Sequence, residues 1–159
     1  MRLEGVLSPE LTIVMPAPRA KGAEARDAVL RDLSNRAQSH FPRVAPGGLL
    51  AGFLDRERKY PTGTPEAVAF PHVLLPDIDS TVVAALLVKP GVRWSVQDLP
   101  PQDLVFAIFG NADKPWEHVR LLARLARIAR GQGALDRLRE AADGARLYDL
   151  LITEDRRYG

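Results

Sequence analysis

Apolar residues fall along this chain in two patterns, short continuous runs and stripes at helical spacing. Residues 11–15 (LTIVM) form a short β-branched run closed by Pro16 and Pro18, which predicts a strand. Over residues 23–39, Val29, Leu33 and Ala37 recur every four positions with Arg and Asp between them, the stripe of an amphipathic helix. A Pro- and Gly-containing break at 42–48 precedes a second helix over 49–58, with Leu50, Phe53 and Leu54 on one side. Residues 59–66 (KYPTGTPE) have the density of turn residues expected of a loop, and 67–70 (AVAF) predict a short strand running into Pro71-His72. Two continuous apolar runs, 81–89 (TVVAALLVK) and 103–109 (DLVFAIF), fit strands buried on both faces of a sheet.

The strongest helical pattern covers 116–130. Val119, Leu121, Leu122, Leu125 and Ile128 make its apolar face, Arg120, Arg124 and Arg127 line another, and the glycines at 131 and 133 stop it. Further helices are predicted over 134–142 and 144–151, the second capped by Asp143, with a polar, loose tail after it. There are no internal repeats and no low-complexity linker. The order of elements predicts an α/β protein: a single-domain α/β/α sandwich over residues 1–159, its core at about 8–152, with a central mixed sheet flanked by helices on both faces.

Composition narrows the function classes. A chain of 159 residues, 46% apolar and 26% charged, is sized for one globular domain with a real core. The absence of cysteine excludes disulfides, thiolate catalysis and cysteine-ligated metal. The N-terminus lacks the apolar run of a signal peptide, and no stretch approaches the roughly 18 apolar residues of a membrane span, so a soluble, cytoplasmic protein is expected. The formal charge is only +2, carried by 18 Arg and 4 Lys against 20 acidic residues. That balance argues against a nucleic-acid binder, and the stripe of Arg120, Arg124, Arg127 and Arg130 reads as a solvated face.

Candidate chemistry centres on the three histidines. His40, beside Phe41-Pro42, has no reactive context. His72 is expected in a loop after a strand end and a proline that stiffens its base, and strand ends are where α/β sheets bind ligands. His118 falls early in the helix that follows the second buried strand, so the two imidazoles can meet at one edge of the sheet. Taken alone, each is equally well an ordinary loop or surface residue. A metal site built from His72, Asp77, Asp79 and His118 matches no usual ligand spacing, and PDID reads as a turn.

The stretch from residue 56 to 72, RERKYPTGTPEAVAFPH, resembles the motif of EIIA domains of the bacterial phosphoenolpyruvate-dependent phosphotransferase system, of the mannitol, fructose and nitrogen-regulatory type. Arg56-Glu57, Thr62-Gly63 and Ala69-Phe70-Pro71-His72 carry it. Pro90-Gly91-Val92-Arg93-Trp94, Glu117-His118 with LLARLARIA, and the closing LDRLREAADGARLYDLL extend it over most of the chain. The resemblance implies that His72 is the phosphoryl acceptor, that His118 packs beside it, that Arg56 lies near the site and that Thr62 is the turn residue abutting it. It also implies a phospho-HPr donor, an EIIB domain or regulatory target as receiver, and a phosphohistidine intermediate formed without cofactor or metal. Members that stand free of other domains are often regulatory, which favours the nitrogen-related branch. Thr64-Pro65 and Ala67 replace the usual Ile, Gly and Gly of the loop, and Val73-Leu74 replaces the usual Gly and polar residue. Phe70, Val73 and Leu74 are expected to form an apolar collar for the partner. The alternative is a binding module of the same fold that acts by protein–protein contact and carries no phosphoryl group.

Overall fold

The two long apolar runs become the two central strands. In the computed structural model, which describes residues 1–95 and 98–159, the elements are β1 (Leu7–Pro16), α1 (Ala23–Ala37), α2 (Gly48–Lys59), β2 (Val68–Ala69), β3 (His72–Leu75), β4 (Val82–Val92), β5 (Gln102–Asn111), α3 (Pro115–Ala129), α4 (Ala134–Arg139) and α5 (Gly144–Tyr158). β4 and β5 pair antiparallel at the centre, β1 runs parallel to β4 on one side, and β2 and β3 run parallel to β5 on the other.

Side chains alternate across a pleated strand, so an unbroken apolar run feeds two cores at once. Ala84, Leu86 and Val88 of β4, with Val105, Ala107 and Phe109 of β5, pack under α1 and α2. Val83, Ala85 and Leu87, with Leu104, Phe106 and Ile108, pack under α3, α4 and α5. The sandwich of a mixed sheet between two helical layers is as the sequence predicts. On the first face Phe109 stacks on Phe41 at 5.1 Å and meets Phe53 of α2 edge-on at 5.3 Å. That contact seats α2, and the polar side chains it carries, beside the edge strand. Among the described residues no helix is long and apolar enough to cross a membrane.

Three local expectations are corrected. β1 begins at Leu7, ahead of the apolar run, with a register shift before Thr12. His72 is not in a loop: it is the first residue of β3 and pairs with Ile108. Pro71 has no N–H, so the edge strand breaks at Phe70-Pro71, but the Pro71 carbonyl accepts from Ile108 N at 3.0 Å and pairing resumes at His72. The tail is not loose, because α5 continues to Tyr158 with Glu154 and Asp155 buried. Both carboxylates are compensated: Glu154 by Arg137, and Asp155 by Arg124 and by the Leu3 N–H at 3.1 Å.

Candidate functional site

His72, just after the break in the edge strand, is buried, at 8% exposure, and is among the residues lining a cleft of about 260 Å³ between α2 and β3. Its Nδ1 lies 3.3 Å from the Phe70 carbonyl oxygen. A carbonyl only accepts, so Nδ1 carries the proton and Nε2 the lone pair. That lone pair accepts a hydrogen bond from Arg56 Nε at 2.8 Å. Arg56 is held in turn by its second donor, Nη1 to the Tyr60 carbonyl at 2.6 Å at the end of α2. The His118 ring stands 4.6 Å from that of His72, tilted by 35°. Its Nδ1 lies 3.2 Å from the Pro115 carbonyl, which fixes the same tautomer through the first turn of α3. Gly110 makes room for Leu74 beside the site: a Cβ there would come within 2.7 Å of Leu74 Cδ2.

Burial above all, then the Arg56 guanidinium and His118, push the His72 pKa down to about 4, although the Phe70 carbonyl works in the other direction. At neutral pH His72 is an uncharged imidazole whose Nε2 lone pair meets Arg56. Such a group is a nucleophile.

Behind it lies a buried polar knot. Glu57, 2% exposed, follows Arg56 on α2 and turns inward. Its carboxylate accepts from Thr62 N at 3.1 Å and from Thr62 Oγ1, which itself accepts from Trp94 Nε1 at 3.1 Å. The Thr62 carbonyl then receives Phe70 N at 3.0 Å. The chain on either side of the site is thus pinned: α2 through Glu57, and the segment leading into His72 through Phe70. The Thr62 hydroxyl is thus committed to Glu57 and Trp94. Next to it, Gln102 is fully buried and clamps Thr64 at both its N–H (3.0 Å) and its carbonyl (2.9 Å). The sequence motif contained Glu57 and Trp94 without giving either a role, and Gln102 carried no signal; Glu57 also falls four residues after Phe53 on the apolar stripe of its helix.

Comparison with known proteins bears on what this pair of imidazoles belongs to. The family described as "Phosphoenolpyruvate-dependent sugar phosphotransferase system, EIIA 2" matches residues 19–154. The chain belongs to this family. Along nearly its whole length, this EIIA domain is 28% identical to a nitrogen regulatory protein of Pseudomonas aeruginosa, over 96% of each chain. Its fold is that of the nitrogen regulatory protein IIA-Ntr from Neisseria meningitidis, with a TM-score of 0.79 at 15% identity, covering 92% of this chain and 97% of that one. It is equally that of enzyme IIAMTL in its complex with phosphorylated enzyme IIBMTL from Escherichia coli, with a TM-score of 0.71 at 19% identity, covering 93% and 99%.

Within the EIIA domain, His72, His118 and Arg56 come together, whereas His40 faces Glu10 at 3.2 Å, away from the cluster. Asp77 and Asp79 both pair with Arg43, and among the described residues no group of three His, Asp or Glu side chains gathers to hold a metal. The expected collar is corrected in two of its members. Val73 is 2% exposed and packs on Gly52 of α2, and Phe70 turns into the second core, edge-on to Phe106 at 6.0 Å. Among the described residues, the exposed large apolar side chains besides Met1 are Tyr60, at the end of α2 beside Arg56, and Trp116 and Val119 on α3, one on either side of His118 in sequence. Val119, expected on the buried face, lies outside it because Leu121, Leu125 and Ile128 define that face.

Proposed function

We propose that this EIIA domain is a cytoplasmic phosphocarrier that accepts a phosphoryl group on Nε2 of His72. The observation that carries the reading is the fixed tautomer: Phe70 holds the proton on Nδ1, and the lone pair of Nε2 faces Arg56 at the cleft. In the transfer, Nε2 gives its lone pair to phosphorus as the N–P bond of a donor phosphohistidine breaks, and the donor imidazole departs with that electron pair. His72 keeps its Nδ1 proton on the Phe70 carbonyl throughout. Little covalent work is asked of the protein, so positioning and charge stabilisation decide the rate. Arg56 moves from the lone pair to a phosphoryl oxygen, a charge-assisted contact, and the His118 ring packs beside the acceptor and helps to hold the group in place. Thr62 and Glu57 serve by holding these groups in place.

The donor on this reading is phospho-HPr and the receiver an EIIB domain or a regulatory target. Support for an EIIB-like receiver comes from the matching fold of IIAMTL, solved with phosphorylated IIBMTL. Support for a regulatory role comes from the full-length similarity to a nitrogen regulatory protein. Tyr60, Trp116 and Val119 supply the apolar rim that a docking partner needs.

The test is phosphorylation of the purified protein by phosphoenolpyruvate, enzyme I and HPr, read by intact mass. Wild type is expected to gain one phosphoryl group and His72→Ala none. A wild type that gains none with HPr from several systems leaves the binding-module reading in its place.

A further inference from the structure

The face of α2 that looks onto His72 carries more charge than the acceptor chemistry uses. Gly52, Asp55, Arg56 and Lys59 recur at helical spacing and line one cleft with His72 and residues 73–75. Arg56 is already committed to His72 and to the Tyr60 carbonyl. Lys59 Nζ, in contrast, lies 3.5 Å from Asp55 Oδ2, and the two side chains are 67% and 62% exposed. An exposed pair of that kind contributes little and exchanges partners readily.

A phosphoryl group on Nε2 brings up to about two negative charges into this cleft. The Asp55 carboxylate is there already, and so is the negative pole of α2, whose last turn holds Arg56, Arg58 and Lys59. Arg56 supplies one positive charge against that sum. We propose that Lys59 is a second cation of the phosphoryl site, leaving Asp55 for a phosphoryl oxygen when His72 is phosphorylated, while Asp55 opposes the phosphorylated state. The inference rests on the reading of His72 as acceptor. It adds a residue pair that sets how far the exchange with the donor runs towards this protein.

The experiment mixes the full chain with HPr in the presence of catalytic enzyme I and limiting phosphoenolpyruvate, and reads both phosphorylated fractions by intact mass at equilibrium. Because an equilibrium is read, weaker docking of HPr leaves the result unmoved. Lys59→Gln is expected to shift the exchange about three- to fivefold against the phosphorylated form, and Asp55→Asn to shift it the other way. Both effects shrink between about 50 mM and about 500 mM salt, since the groups are exposed. Equal equilibrium constants for wild type and Lys59→Gln overturn the role of Lys59 alone. A wild type that takes no phosphoryl group overturns the carrier reading, and this inference with it.

Discussion

Burial sets the protonation state of His72. With its pKa near 4 against an ordinary 6.5, the folded protein stays unprotonated there across a range in which the unfolded chain binds a proton. The unfolded state therefore holds more protons between those two values. Stability rises with pH through that window and is lost as pH falls through it, by about 3 kcal/mol at most. Urea midpoints should decline from about pH 7 to about pH 4.5, and His72→Gln should flatten part of that decline. A decline identical in the variant would assign it to other groups. Ala67 is the second residue under local constraint: its φ is +65°, a conformation that disfavours any side chain. Ala67→Gly should stabilise the fold by about 0.5–1 kcal/mol in denaturant titrations. His72 and His118 were candidates from their place in the chain, and their roles and that of Arg56 were implied by the resemblance to the EIIA motif. The part of Glu57 was not legible, because a pattern does not tell whether a carboxylate after an apolar stripe turns outward or is taken in by a buried hydroxyl and backbone N–H.

The pairing of α2 with β3 decides the site at the scale of elements. Gly52 lies against Val73 so closely that an added Cβ would sit 2.3 Å from Val73 Cγ2. The residue after the candidate acceptor is thus a packing residue, and the helix accommodates its bulk with a glycine. Gly52→Ala should cost about 1–3 kcal/mol in urea unfolding and push α2, with Arg56, away from His72. Adding Val73→Ala should recover most of the loss, a coupling that independent sites would not show. The central strands and α3 were plain in the sequence, since long apolar runs and a strict helical stripe leave few alternatives. The split edge strand was harder to read. Two residues of β2 and four of β3 carry almost no periodicity, and the break between them depends on a proline whose carbonyl still pairs with β5.

Across the whole molecule, the two ends of the chain close on each other. Asp155 of α5 binds Arg124 of α3 and the backbone of Leu3, all within the second core. Asp155→Ala strands a largely buried guanidinium and should cost about 3–5 kcal/mol. Glu4→Ala, which removes only the exposed pair with Arg156, should cost less than about 1 kcal/mol by the same urea measurement. Equal losses would mean that the burial of Asp155 does not matter. The sequence by itself determined the fold class, the two-faced core, the family and the histidines that meet, because apolar period and motif spacing are properties of the chain read in order. Only the tertiary structure decided which nitrogen of His72 is presented, that Thr62 and Glu57 face inward, that Val73 is core and that α5 runs on through its polar end. Each of those depends on a partner distant in sequence: a carbonyl, a hydroxyl, a glycine or a guanidinium. Burial of a polar or small group is settled by what the fold brings against it.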